Sequence, residues 1–194
     1  MPVVIGAAQS GFANPIGLLS DCHRRIERFL KTLEALAGES GVLDAQCRNA
    51  LQTALEYFRN AAPKHTADEE EDLFPRLRLT DRPEIAQPLE KLEGDHARAS
   101  VWHREVEEIF ACWVREERLS ALETGRLKEL LKSLSDLYTA HIAVEEGSIF
   151  PLAQAELSAQ DKKAMGRRMA ARRGVPYEGR TVGRFAAATQ DRNS

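Results

Sequence analysis

Aromatic residues make up only 6% of this 194-residue chain, and its three cysteines, Cys22, Cys47 and Cys112, never fall into a CxxC pair. Cysteines this few and this scattered exclude a disulfide scaffold and a thiolate metal site, and they suit reduced thiols in the cytoplasm. No run of 18 apolar residues occurs, so no membrane-spanning helix is expected. The opening MPVVIGAAQSGFANP lacks a basic n-region and a sustained apolar stretch, and residues 1–14 read as a loose arm, not a signal peptide. There is no GxGxxG fingerprint, no P-loop and no HExxH, which removes the usual dinucleotide, nucleotide and zinc-protease chemistries. Alternation with a period of two is also missing, which leaves no strand to expect.

What remains is helical and unevenly charged. Hydrophobic residues form 43% of the chain and charged residues 29%. Residues 161–194 carry nine Lys and Arg against three Asp and Glu, whereas the rest of the chain is acidic and the total is −3. An acidic body is poorly suited to nucleic acid; the basic tail either lies on that body or reaches a partner. No aromatic residue interleaves the basic ones of DKKAMGRRMAARRG, so nucleic acid is not the expected partner.

Apolar residues recur at three and four positions in four long stretches. Asn14-Pro15 supplies a cap and a first-turn proline, and Ile16, Leu19, His23, Ile26 and Leu30 follow on one face as far as Gly38. Leu43, Cys47, Leu51, Ala54, Leu55 and Phe58 mark a second helix, which Pro63 should kink before Phe74-Pro75 closes it. A third should start within 83–88 and run to about Val114, with Leu89, Leu92, His96, Val106, Ile109 and Phe110 inward. Ser120-x-x-Glu123 reads as a capping box for a fourth carrying Leu127, Leu130, Leu131, Leu134, Leu137, His141 and Val144. Ser158-x-x-Asp161 opens a short fifth, stopped by Gly174, on which Met165 and Met169 share a face for docking. The expected fold is all-α: an up-and-down four-helix bundle over 15–157, then a basic helix and tail over 158–194.

One frame occurs twice. Residues 65–75 read HTADEEEDLFP and residues 141–151 read HIAVEEGSIFP: His, three residues, Glu-Glu, three residues, Phe-Pro. Residues four apart share a helix face, so His65 points with Glu69 and His141 with Glu145. Glu70 and Glu146, one residue further on, should face out, and the run Asp68–Asp72 should be a solvated face with Glu69 alone turned in. His23 and His96 add an imidazole from the first and third helices. Buried carboxylates require a partner, and no Lys or Arg shares these faces, so a metal supplies the positive charge. Imidazole with carboxylate suits iron, zinc or manganese, and two ions bridged by two glutamates use all six donors, leaving about one open position on each. His103, seven residues past His96, sits about 10 Å along the axis, too far to join. Tyr138 reads as packing at the bundle edge, the Phe-Pro ends as helix termination, and Cys22 as a buried thiol.

This pattern resembles the hemerythrin-like family, also called HHE cation-binding domains, over residues from about 16 to 157. The paired HxxxE-E-xxx-FP segments and the order His, His/Glu, His, His/Glu carry the resemblance; ferritin-like di-iron enzymes use Glu-x-x-His pairs instead. The resemblance implies two iron ions, oxo- or hydroxo-bridged, held by His23, His65, Glu69, His96, His141 and Glu145, with Glu69 and Glu145 bridging. The family's blood oxygen carriers have a second histidine on the third helix, one turn after the first, where this chain has Ser100; one turn before is Leu92. The four-His, two-Glu set is more similar to bacterial iron-centre repair proteins, which implies a site that meets O2, NO or peroxide in sensing, scavenging or stress response. A di-iron redox enzyme or iron donor, and a regulatory module acting through the basic tail, are the alternatives.

Overall fold

The computed structural model describes residues 10–38 and 43–177, and every regular element among them is helical. Helix α1 (Pro15–Gly38) packs on α2 (Ala45–Asn60) and on α6 (Ala121–Val144), and α6 packs on α5 (Ala86–Glu116). Helices α3 (Ala62–Asp68) and α4 (Phe74–Leu77) continue the line of α2, and α7 (Phe150–Glu156) continues α6. Helix α8 (Ala159–Arg172) lies across α1 and α3. The result is a helical bundle with a further helix laid against it.

The helix ends follow from local chemistry. The Asn14 side chain accepts a hydrogen bond from the Gly17 backbone N–H at 3.1 Å, satisfying one of the orphan donors of the first turn. Asp44 caps α2 through Cys47, Ser120 and Glu123 form a reciprocal capping box on α6, and Ser158 caps α8 through Asp161. Gly174, at φ +66°, ends α8 in the left-handed region that a side chain disfavours. Residues 10–14 lie against the bundle: the Ser10 N–H donates to Asp21 at 2.7 Å, and the Phe12 carbonyl approaches Gly166 so closely that a Cβ there would sit 1.9 Å from it. Residues 1–9 and 178–194, parts of the expected arm and tail, lie outside the described residues.

Two departures from the sequence reading concern the Phe-Pro ends. Neither closes a helix. Each follows a wide, π-helical turn, Glu69–Leu73 and Glu145–Ile149, and helix resumes at once as α4 and α7. In these turns the Phe74 and Phe150 N–H groups reach back five residues, to the Glu69 and Glu145 carbonyls. The widened turn takes up the proline ring that would strike a carbonyl in a regular helix, and proline has no N–H to leave unpaired. The break before His65 falls at Ala61, with Pro63 in the first turn of α3, where its missing donor costs nothing.

The apolar interior forms two clusters. One gathers Ile26, Leu30, Leu33, Leu51, Phe110, Leu130 and Leu134; the other gathers Leu19, Leu73, Phe74, Leu89, Phe150, Met165 and Met169. Met165 and Met169 are fully buried, each contributing about 2 kcal/mol by area, and this seats α8 on the bundle. His23 falls between Leu19 and Ile26, and His96 between Leu92 and Ala99, so a polar layer separates the clusters.

Candidate metal centre

All six candidate donors meet in this layer. His23 comes from α1, His65 from α3, His96 from α5 and His141 from α6, while Glu69 and Glu145 are the first residues of the two π-helical turns. Every one is buried, and both glutamates are wholly inaccessible. The Nε2 atoms of His65 and His96 lie 3.3 Å from Glu69 oxygens. Those of His23 and His141 lie 2.9 and 3.2 Å from Glu145 Oε2, and His23 Nε2 is 3.9 Å from Glu69 Oε1. Their donor atoms fall into two groups, His23-His65-Glu69-Glu145 and Glu69-His96-His141-Glu145, in each of which all atoms lie within 4.8 Å of one another. Both carboxylates belong to both groups.

Such a cluster is costly without a cation. Both oxygens of Glu69 and of Glu145, with Nε2 of His23 and of His141, are buried and make no hydrogen bond among the described residues. Burial and the Glu145 charge push the Glu69 carboxyl well above its ordinary pKa. Burial acts on Glu145 in the same sense, but His141 and His23 overrule it and hold that carboxyl well below the usual range. Burial would lower the His23 imidazolium, yet Glu145, Glu69 and Glu146 together lift it to about 8. His65, desolvated and beside His23, is pushed far down and stays neutral. Protons therefore stand in for positive charge in the metal-free protein. Imidazole nitrogens and carboxylate oxygens that converge in this way are borderline donors for a divalent transition metal.

The sequence profile of the hemerythrin HHE cation-binding domain matches residues 14–153. This chain is a member of that family. An uncharacterised protein of Haemophilus influenzae (strain ATCC 51907 / DSM 11121 / KW20 / Rd) is 32% identical over 168 residues, a span of 83% of this chain and 91% of the relative. With two His/Glu groups shaped for cations, the hemerythrin-like chain is a metal-binding protein.

The rest of the repeated frame has roles that helical phase alone does not show. Glu70 and Glu146 do not simply face water. Glu70 Oε1 lies 2.9 Å from His96 Nδ1, and Glu146 Oε1 lies 2.9 Å from His23 Nδ1, each accepting the proton that fixes the imidazole with Nε2 turned inward. Their outer edges stay in contact with solvent, with side chains 37% and 40% exposed. The phenylalanines of the frame pack on the same rings: Phe150 stacks on His23 at 5.2 Å and Phe74 on His96 at 6.3 Å. Each frame thus offers His and the first Glu to the centre, and holds a histidine from another helix with its second Glu and its Phe. A π-helical turn advances less per residue than an α-helical one, which brings adjacent glutamates closer in direction than the 100° step assumes. The sequence signal was present, because the second Glu recurs in both frames as strictly as the first.

The acidic run is also not a solvated face. Asp68 and Asp72 are fully buried together with Glu69. Arg172 and Arg173 of the C-terminal segment donate to Asp68, Arg172 reaches Asp72 at 3.0 Å and Glu71 at 2.8 Å, and Arg168 meets Asp72 at 2.7 Å. Arg76 adds a contact to Asp72 at 3.2 Å. Charge complementarity between this run and the basic tail was the signal, and it needed the docked position of α8 to be read.

His103 stays out of the cluster and hydrogen-bonds to Tyr138, Nε2 to Oη, at 3.1 Å. The Tyr138 ring stands edge-on to His141 at 6.3 Å, so it adjoins the site without facing it as a donor. Cys22 is a buried thiol whose pKa desolvation raises to about 11, which keeps it protonated and inert. No helix is long and apolar enough to cross a membrane among the described residues.

Proposed function

We propose that this protein is a non-haem di-iron protein whose centre meets a small molecule, O2, NO or peroxide, in sensing, scavenging or a stress response. The observation that carries the reading is the sharing of Glu69 and Glu145 between two four-residue groups. Two cations, each taking two imidazoles and one oxygen from each shared carboxylate, use every orphaned inward atom; one cation cannot. His23 and His65 would hold one ion, and His96 and His141 the other. The reading takes segments 15–38, 45–77, 86–116 and 121–156 as an up-and-down four-helix bundle with α8 as a short fifth helix. Iron in this donor set supplies a redox-active centre with room for an exogenous ligand.

The chain's own residues set what that centre can do. Glu70 and Glu146 fix His96 and His23, the two apolar clusters exclude bulk water above and below, and Leu92 gives α5 no second inward imidazole on its own turn. A position left open on the metals is accessible to a small ligand and unprotected against further reduction of that ligand. This supports reactivity with O2 in place of reversible carriage. Arg168, Arg172 and Arg173 are engaged by Asp68, Glu71 and Asp72, which weighs against nucleic acid as a partner. Cysteines outside any disulfide suit a reducing cytoplasm.

Metal analysis and the absorption spectrum of anaerobically purified protein, before and after O2 or NO, test the proposal. Two irons per chain with oxo-bridge bands on oxidation, and no full recovery of the ferrous spectrum after cycles of O2 and vacuum, are expected. One zinc and no iron after expression in iron-rich medium would overturn it.

A further inference from the structure

A cavity of about 340 Å3 opens between α2, α3, α5 and α6, bounded by Phe58, Thr66, Ser100, His103 and Tyr138. Behind it lies a hollow of about 10 Å3, enclosed by His23, His65, His96 and His141 together with Thr66 and Tyr138. The two share Ala62, Thr66, His96 and Tyr138 as a common wall. The outer chamber is therefore separated from the imidazole-lined hollow only by those side chains.

Arg104 and Glu107 also line the chamber, whereas Ala62, Thr66 and Tyr138, which it shares with the hollow, carry no charge. Burial holds the His103 imidazolium down to about 4, so the ring is neutral. Burial raises the Tyr138 phenol, which keeps its proton, and its Oη shares a hydrogen bond with His103 Nε2 at 3.1 Å. Phe58 stacks on the other side of His103 at 4.2 Å. The pair adds no charge to the chamber. The hollow is the decisive dimension: about 10 Å3 is the least volume that takes one water-sized molecule.

We propose that these adjoining hollows are the port by which a single diatomic gas molecule, O2 or NO, reaches the metal centre, with Ser100 in the outer chamber and Thr66 and Tyr138 in the wall that must yield between them. The port rests on the di-iron reading for its purpose, but not for its existence. A hollow of that volume takes a diatomic and excludes an alkyl hydroperoxide or an organic reductant. Ser100, on the turn after His96, is exposed on one side and lines the chamber on the other, so a bulky side chain there fills the chamber without entering the core.

The test compares wild type, Ser100→Trp and Thr66→Leu as full-length protein. Xenon-129 NMR of the zinc-loaded protein reads the chamber directly, because xenon enters apolar recesses such as the one Leu55, Phe58 and Ala62 wall here. A concentration-dependent xenon shift in wild type, lost in Ser100→Trp, is expected. Stopped-flow mixing of the ferrous protein with NO should then show association slowed at least tenfold in both variants, with iron content unchanged. tert-Butyl hydroperoxide should oxidise wild type at least a hundredfold more slowly than O2 does. A wild type without a xenon shift, or variants that lose the shift yet bind NO at the wild-type rate, would overturn the port. A protein that binds no iron but shows the xenon shift would sink the di-iron reading while leaving the chamber standing.

Discussion

Removing Glu146 should weaken one metal and spare the other. Its Oε1 accepts from His23 Nδ1 at 2.9 Å, and its Oε2 is itself steadied by the Ser20 hydroxyl at 3.0 Å. Without that acceptor His23 loses the bond that selects its tautomer and aims Nε2 at the centre. Loss of such a supporting partner costs about 10–100-fold in metal affinity, or about 1.4–2.8 kcal/mol at 1.4 kcal/mol per tenfold. Because Glu146 is 40% exposed, water can replace part of the bond, and the lower half of that range applies. Glu146→Gln keeps an acceptor oxygen and loses the charge, so its loss should fall between those of wild type and Glu146→Ala. Glu70→Ala should act alike through His96, on the other metal. The assay is a two-step zinc or cobalt titration against a chromophoric chelator. Each Ala variant should lower one binding step and leave the second within a few fold. Two Ala variants indistinguishable from wild type in both steps would refute the claim that these carboxylates orient the ligands, and would return them to the solvated role that helical phase suggests.

Glu69→Ala and Glu145→Ala should each lose at least one metal ion by elemental analysis, since each carboxylate belongs to both donor groups; full metal content in either would refute the shared arrangement. Metal affinity should fall as pH drops below about 8, because the His23 proton held to that value must leave before the nitrogen can ligate, and Glu69 must also lose its proton. Each displaced proton contributes about tenfold per pH unit, and competition titrations from pH 6 to 9 measure the slope, which should be positive and flatten above 8. Arg172→Ala should cost about 1–2 kcal/mol, less than a fully orphaned buried charge, because Arg173 still serves Asp68 and Arg168 still serves Asp72; thermal unfolding should show a Tm lower by about 2–8 °C.

The convergence of the six candidate donors was legible because much of its signal is local. A His and a Glu four apart on a helix have little freedom in where they point, and Asn14, Ser120 and Ser158 mark helix starts by hydrogen bonds within three residues. His23 and His96 could be added because both fall in an apolar register. The misread residues are those whose surroundings depend on backbone irregularity or on another element. Nothing in EEEDL or EEGSI announces a widened turn, so Glu70 and Glu146 were given the phase of a regular helix, and Phe74-Pro75 and Phe150-Pro151 were given the role of a stop. Asp68 and Asp72 look like surface residues until α8 lays its arginines over them from a hundred positions away in sequence. The chamber beside Tyr138 is a property of space between four helices, and no periodicity records it.

The two widened turns also bear on what lengths the chain can accept. Connections such as 78–82 and 117–120 lie between elements and can gain or lose a residue at the surface. Inside 69–73 or 145–149 a further residue has no such freedom. One residue more, or the same residues straightened into an ordinary helical turn, rotates all that follows by about 100°. Phe74, Leu73 and Leu77, or Phe150, Ile149 and Ala153, would leave their cluster, and the ring supporting His96 or His23 would go with them. In each half of the molecule one surplus residue keeps two registers in step: the one that aims carboxylates at the centre and the one that closes the apolar cluster behind it.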